Sequence, residues 1–411
     1  MFGSKSKRKP YLIFCLFISF TSFSYLFSQS SEYARITVQN QIHQNYGLAY
    51  PMTYQFRCES ILSSATVFLK YYEGAVWTPI PIKTRRNFSG VTAVRFDTIN
   101  KMIYVSVPFL DESDQIFLQF NDSTGIEYQG ITRFYDNRKM AVTATADDWD
   151  YDKNIQFGIV CSLFTQYQMW LTVGVITNSL YNQDVQLAVQ EKLNSGYIEV
   201  ASHSRTHNNQ EFVKDEVLTS KSDIFNKLDL PPLFKNGDNE YLYTWIMPGT
   251  VHNLRILDMI DADLGSNTFL VDRRSPLVPN FVFPPPTFVN WNVIFHLYTE
   301  VYFNEGACLD YGNLDTWKAV FNESYDSAAV SEGEIFHLML HPFYLNSNEI
   351  LTTTSLEAFL NHIKERDRIN RYIWYVSLGH LYLYHFLQEN EGVYLSVSCG
   401  MAPPNEPEEE R

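Results

Sequence analysis

The sequence predicts an α/β protein in two parts, an all-β sandwich-like segment followed by a barrel of parallel strands and helices. Three observations predict it. From Tyr33 to about Arg138, apolar and polar residues alternate with a period of two between clusters of turn-formers. Near residue 139 that rhythm breaks. From there to about residue 400, strand-like and helix-like runs take turns. Period-two runs with turn punctuation read as short half-buried strands, whereas repeated strand–helix units imply a parallel sheet.

The front segment, residues 31–138, carries alternating runs such as Ala34-Arg35-Ile36-Thr37-Val38 and Ile116-Phe117-Leu118-Gln119-Phe120. Asn45-Tyr46-Gly47 and Asp111-Glu112-Ser113-Asp114 separate them, which is the pattern of a sandwich. No catalytic constellation stands out there. The second segment, residues 139–400, opens with the strand Met140 to Thr145, followed by a helix from Asn154 to Met169 and the strand Leu171 to Ile176. A helix from Gln183 to Leu193 and the strand Tyr197 to Ser202 come next. The alternation continues through Tyr241 to Ile246, Val251 to Ile260, Thr268 to Val271, Ile335 to Leu340, Ser355 to Arg366 and Ile373 to Ser377. This many units predict a barrel, whose chemistry sits at the C-terminal ends of its strands.

The chain ends bracket these segments. Lys5 to Lys9 form a basic stretch ahead of an apolar run from Tyr11 to Phe27, with Ser28, Ser30 and Ser31 behind it. That layout predicts a secretory signal over residues 1–30, hence a secreted or cell-surface protein, with a signal-anchored form as the alternative. Pro403 to Arg411 lie in a Pro- and Glu-rich stretch, residues 401–411, expected to be disordered. The formal charge of −15 argues against nucleic acid as a partner. The aromatic share of 16% fits a β-rich core and leaves rings to meet sugars. Behind the leader, Cys58, Cys161, Cys308 and Cys399 show no C-x-x-C spacing, so a cysteine zinc site is not expected. Cys161 sits in an apolar helical run and reads as a buried free thiol.

Three strand ends carry groups fit for chemistry. The first is Asp147-Asp148-Trp149. Adjacent carboxylates repel unless a proton or cation lies between them, though an Asp after a strand is also a common helix N-cap. The second is His203-Ser204-Arg205-Thr206-His207. Ser204 stands where a zinc-protease helix would need Glu, so the pair belongs to a loop at a strand's end. With one carboxylate it makes three ligands and leaves coordination sites open. The alternative is a solvated loop with incidental histidines. The third is Leu338-Met339-Leu340-His341-Pro342, where His337 reads as a core histidine and His341 as a cavity group able to donate a proton.

Together, Thr145-Ala146-Asp147-Asp148, His203 to His207 and Leu338 to Pro342 resemble, in order, the motifs of the polysaccharide deacetylases, carbohydrate esterase family four. The resemblance spans roughly residues 139–400. It implies a distorted (β/α)7 barrel in which Asp148, His203 and His207 hold Zn2+, or another divalent ion such as Co2+ or Ni2+. It implies Asp147 as general base, His341 as general acid and an acetylated polysaccharide as substrate, giving a metal-dependent N-deacetylase. A catalytically inactive, carbohydrate-binding relative is the alternative. Ile373 to Val376 with Gly379-His380-Leu381 are similar to the family's closing strand and helix. Gly249, in the turn Met247-Pro248-Gly249, is expected to offer its N–H to substrate. Trp149 replaces the family's glycine and either stacks on a sugar or caps the barrel. Trp291 is a candidate for the family's tryptophan-bearing segment. No arginine stands beside the Pro-Gly turn, and Arg273 or Arg274 is the candidate to pair with Asp147.

Overall fold

The computed structural model of the protein describes residues 31–37, 50–86, 88, 90–109, 115–207, 214–248, 269, 271–273, 306–330, 334–347, 349–389 and 392–396. The front segment holds strands β1 (Ser31–Thr37), β2 (Met52–Arg57), β3 (Ser60–Lys70), β4 (Thr78–Pro79), β5 (Ala93–Asp97), β6 (Met102–Val107), β7 (Gln115–Thr124) and β8 (Glu127–Ile131). One antiparallel sheet runs β5-β6-β2-β8, and another runs β1-β7-β3-β4. The predicted alternation is visible in β1, where Glu32, Ala34 and Ile36 are buried between half-exposed neighbours. The sheets meet through apolar faces, with the Phe56 ring on β2 edge-on to Phe120 on β7 at 4.9 Å. Buried Glu32 is satisfied rather than stranded, accepting from the backbone N–H groups of Gly125 and Ile126 at 2.8 and 2.7 Å.

The second segment contributes β9 (Met140–Trp149), α1 (Asn154–Gln166), β10 (Leu171–Val175), α2 (Gln183–Ser195), β11 (Ile198–Ser202) and α3 (Lys214–Lys227). A small hairpin, β12 (Lys235–Asn236) and β13 (Asn239–Glu240), precedes β14 (Thr244–Ile246), β15 (Val271–Arg273) and β16 (Gly306–Cys308). Then come α4 (Leu314–Val330), β17 (Glu334–Leu340), α5 (Thr353–Asp367), β18 (Ile373–Tyr375), α6 (Leu378–Glu389) and β19 (Gly392–Ser396). The parallel strands lie in the order β15-β14-β11-β10-β9-β17-β16, with β18 beside the first residues of β9. Such a sheet is covered on both faces, and its strands accordingly read as continuous apolar runs: β10 and β11 are buried at every position. The sheet curls. Arg273 at its far edge reaches across to Asp147 on β9, four strands away in the order.

Helices α3 and α4 and the β12–β13 hairpin were not read from the sequence, and two strands also depart from that reading. β19, in the segment expected to be barrel, pairs antiparallel with β1 of the front sheet. β16, not anticipated, pairs parallel with β17 and carries the chain toward the site. The expected helix Val251 to Ile260, Arg274, Trp291, Cys399, the leader and the acidic tail lie outside the described residues. Cys58, Cys161 and Cys308 are buried free thiols. Below the site, Glu199 is wholly buried but held by the Thr172 and Thr244 hydroxyls at 2.6 and 2.7 Å and by the N–H of Gly379. A Cβ at Gly379 would lie 2.3 Å from that carboxylate, so only glycine lets α6 start there.

Candidate metal centre

The site forms where β9, β11, β15 and β17 end. Along β9 the register against β10 slips between the pairs Val173–Ala146 and Val175–Trp149, so one extra residue is accommodated on β9. Asp148 takes a left-handed φ of 72° there. In a regular strand, neighbouring side chains point to opposite faces. A bulge breaks that rule and re-aims one of them, a recurrent device beside active sites. It is how adjacent aspartates come to serve one cavity. Asp is among the few residues that tolerate the left-handed region.

Asp148 Oδ1 lies 3.0 Å from Nε2 of both His203 and His207. One ligand atom from each of the three residues falls within 4.8 Å of the others. His203 Nδ1 is 2.9 Å from the Ile246 carbonyl, which can only accept. Nδ1 therefore carries the proton, and in the neutral ring Nε2 presents a lone pair toward the carboxylate. Such an orienting carbonyl behind a ligand histidine is a usual companion of metal sites. Lone pairs converging this closely call for a cation, so the donor set fits a divalent ion of the zinc type. Burial resists ionisation of Asp148; with no cation between them, a second proton on the His203 and His207 rings would turn Nε2 into a donor, and that bond and charge hold the carboxyl well below the ordinary range.

The loop carrying both histidines is pinned from outside. Ser204 and His207 also have left-handed φ values, 62° and 60°, a conformation that persists only where surroundings enforce it. Glu216, buried on the first turn of α3, supplies that enforcement. It accepts from the N–H groups of Arg205 and Thr206 at 2.9 and 2.8 Å and from the Thr206 hydroxyl at 2.6 Å. The His207 N–H donates to Ser204 Oγ at 2.9 Å.

Two further pairs flank the cluster. Buried Arg273 forms an ion pair with Asp147 Oδ2, so of the two candidates for this role Arg273 fills it. Asp147 Oδ1 is buried and has no hydrogen-bond partner among the described residues, leaving one acceptor open. On the other side, Asp310, just past β16, accepts from His341 N–H at 2.8 Å and lies 2.6 Å from its Nδ1. His341 Nε2 is 3.9 Å from Asp148 Oδ2. Burial works against the charged imidazolium. The Asp310 bond and the charges of Asp147, Asp310 and Asp148 outweigh it and raise the His341 pKa.

Asp147, Asp148, His203, His207 and His341 are thus brought together. Trp149 is not available to a sugar: it is wholly buried, stacked on Phe157 at 4.6 Å, with its indole N–H on Asn154. The bulge that turns Asp148 into the cavity returns Trp149 to the core. Gly249 lies outside the described residues. Sequence reasoning missed Asp310 and Glu216. Asp310 follows the short apolar run Gly306-Ala307-Cys308-Leu309, a strand end of the same kind as the others and the one signal that could have found it.

Fold and site together define a curled parallel α/β protein with an Asp-His-His cluster between an Asp–Arg and a His–Asp pair. No protein-family model and no curated protein matches the chain. Among solved structures it is similar to family 4 carbohydrate esterases. One is a family 4 acetyl xylan esterase from Clostridium thermocellum in complex with a cobalt ion, at 14% identity and TM-score 0.32, covering 59% of this chain and 90% of that one. Another is a family 4 carbohydrate esterase from Bacillus anthracis, at 13% identity and TM-score 0.33, covering 59% and 81%. A third is a family 4 pseudoenzyme from Bacillus anthracis, at 14% identity and TM-score 0.34, covering 61% and 68%. Identities and scores are low, and the chemistry is therefore read from this chain's own residues.

Proposed function

We propose that the protein is a metal-dependent hydrolase that removes N-acetyl groups from an acetylated polysaccharide. The observation that carries this reading is the Asp148–His203–His207 cluster standing between a carboxylate with one open oxygen and a histidine held by a second carboxylate. The same reading takes the parallel segment, with eight described strands where seven were expected, as a distorted barrel and the front sheets as a separate β domain.

Asp148, His203 and His207 would hold the ion. When bound, a divalent ion supplies a Lewis acid that lowers the pKa of a water and polarises an acyl oxygen. Asp147, fixed through one oxygen by Arg273, takes the proton of the attacking water on its open Oδ1. His341, its Nδ1 directed at Asp310, keeps Nε2 facing the cavity and delivers a proton to the departing nitrogen. That last step favours an amide over an ester, because an amine leaves poorly unless protonated whereas an alcohol depends on it less. The alternative of an inactive carbohydrate-binding relative drew support from the absent motif arginine, and Arg273 removes that support. Among the described residues, no helix is long and apolar enough to cross a membrane. The basic-then-apolar leader supports action at or outside the cell surface.

The test is elemental analysis of the purified protein beside His203→Ala, followed by acetate release from acetylated glucosamine oligomers. About one divalent ion per chain in the wild type, lost in the variant together with acetate release, is the expected result. A protein that takes up no zinc, cobalt or nickel when offered them ends the hydrolase reading.

A further inference from the structure

A second cleft lies at the other end of the parallel strands. It measures about 930 Å3. Trp170 and Tyr197, which precede β10 and β11, line it, as does Ile373 at the start of β18. Tyr50 and Arg86 close it from the front segment, and the Trp374 indole N–H donates to the Tyr50 hydroxyl at 2.9 Å.

Its charge runs against that of the chain. Arg86, Arg138, Lys364, Arg368 and Arg371 line it, facing two acids, Asp229 and Asp367. Asp229 is paired with Lys235. Asp367 Oδ1 accepts the N–H groups of Tyr372 and Ile373 at 2.6 and 3.1 Å. Arg138 pairs with Asp136 at 3.3 Å and Arg368 with Glu365 at 3.2 Å. That leaves Arg86, Lys364 and Arg371 with no anion within 4 Å among the described residues. Lys364 has one hydrogen bond, to the Gln168 carbonyl at 3.2 Å, and its ammonium sits 3.6 Å from the centre of the Tyr375 ring. Burial pushes its pKa down to about 8, a cost that the charge of Asp367 offsets only in part and a bound anion would relieve further.

The backbone adds a second, independent observation. Gln168, Tyr197 and Arg371, all lining this cleft, have left-handed φ values of 50°, 63° and 52°. Each lies within four residues of a helix end, α1, α2 and α5 in turn, in a conformation that glycine adopts at least cost. Strained non-glycine residues gather at functional sites, and another such group among the described residues, Asp148, Ser204 and His207, is at the candidate metal centre.

We infer that this cleft binds an acidic saccharide, its acid group held by Arg86, Lys364 and Arg371 and its ring packed on Trp170 and Tyr197. Guanidinium forks suit carboxylate and sulfate alike, and half-exposed aromatic rings suit the apolar face of a sugar. The choice of a sugar as the body of the ligand rests on the proposed function. The acid group does not, because it follows from the three cations.

The test is calorimetric titration of the full chain with an oligogalacturonate, a sulfated oligosaccharide and a neutral chitooligosaccharide. At least one acidic probe should bind, with the tighter of the two identifying the acid group, while the neutral one binds at least tenfold more weakly. Arg371→Gly should weaken acidic binding at least tenfold while leaving Tm unchanged or higher, since glycine suits that φ. Arg86→Ala should weaken it in the same direction. His203→Ala should leave it intact. No binding of either acidic probe, equal binding of the neutral one, insensitivity to Arg371→Gly, or loss in His203→Ala would each overturn the inference. Acidic binding without acetate release would overturn the hydrolase reading alone.

Discussion

The two ends of the parallel sheet share strands and core yet hold opposite chemistry. Where β9, β11, β15 and β17 finish, carboxylates and imidazoles converge on a point. Where β10, β11 and β18 begin, helices α1, α2 and α5 end, and the residues facing the cleft are cations and rings. Part of that contrast is generic. Helix C-termini present unpaired carbonyls and the negative end of the dipole, so basic side chains gather there, as Lys364 does on the Gln168 carbonyl. The specific part is the left-handed residues. At the first end they are Asp, Ser and His, whose side chains do the work; at the second they are Gln, Tyr and Arg in places suited to glycine. Both ends spend backbone strain on side-chain identity.

The sharpest way to break the contrast is at Asp147. Asp147→Asn keeps the shape and the bond to Arg273 but loses the proton acceptor. Turnover is expected to fall by roughly 10³-fold, within the usual contribution of a general base, with metal content unchanged and binding at the opposite cleft unchanged. Full acetate release by this variant would remove Asp147 from the mechanism.

Asp310→Asn comes next. His341 loses the partner that counters its burial, so its pKa falls and its acid form disappears at lower pH. The expectation is a kcat reduced by roughly 10²-fold, with the alkaline limb of the pH–rate profile moved toward acid. A loss of rate with an unmoved alkaline limb would make Asp310 merely structural. Glu216→Gln is predicted to act on metal affinity instead. Gln keeps one acceptor but cannot take three hydrogen bonds, so the loop loosens and metal binding weakens about 10-fold, the low end for groups behind the ligands. Competition with a metal-binding dye reads this without any substrate.

The residues at strand ends were legible because a parallel sheet forces chemistry there, and short motifs mark those ends. Arg273 was half legible: its strand was read, its charge noted, but only the curl of the sheet carries it to Asp147. Asp310 was hidden because β16 has three residues and no periodicity to announce it. Glu216 was hidden because the helix that carries it, α3, was not read from the sequence. Trp149 was left open between stacking on a sugar and capping the barrel for a local reason. The extra residue on β9 switches the facing of everything after it, and alternation counted from Met140 does not include a bulge.

Below the metal centre, two buried groups titrate against one another. His380 Nε2 faces the Leu233 carbonyl at 2.9 Å and so bears the proton, while Nδ1 accepts from Ser377. A second proton has no place, and burial lowers the pKa to about 4. The unfolded chain takes up that proton near pH 6.5, so stability is lost as pH falls from about 6.5 to about 4. At 1.36 kcal/mol per unit that is about 3 kcal/mol. Asp367 has the opposite sign. Burial raises its pKa to about 6, so its ionisation costs stability above pH 6, and acidification from 6 toward 4 returns about 3 kcal/mol. The wild-type profile between pH 6.5 and 4 should therefore be nearly flat from this pair. Asp367→Asn keeps an oxygen for the Tyr372 and Ile373 N–H groups but no longer titrates. It should gain stability at pH 7.5 and then lose about 3 kcal/mol on acidification, read as urea midpoints across that range. A variant as flat as the wild type would show that His380 accepts its proton in the folded state.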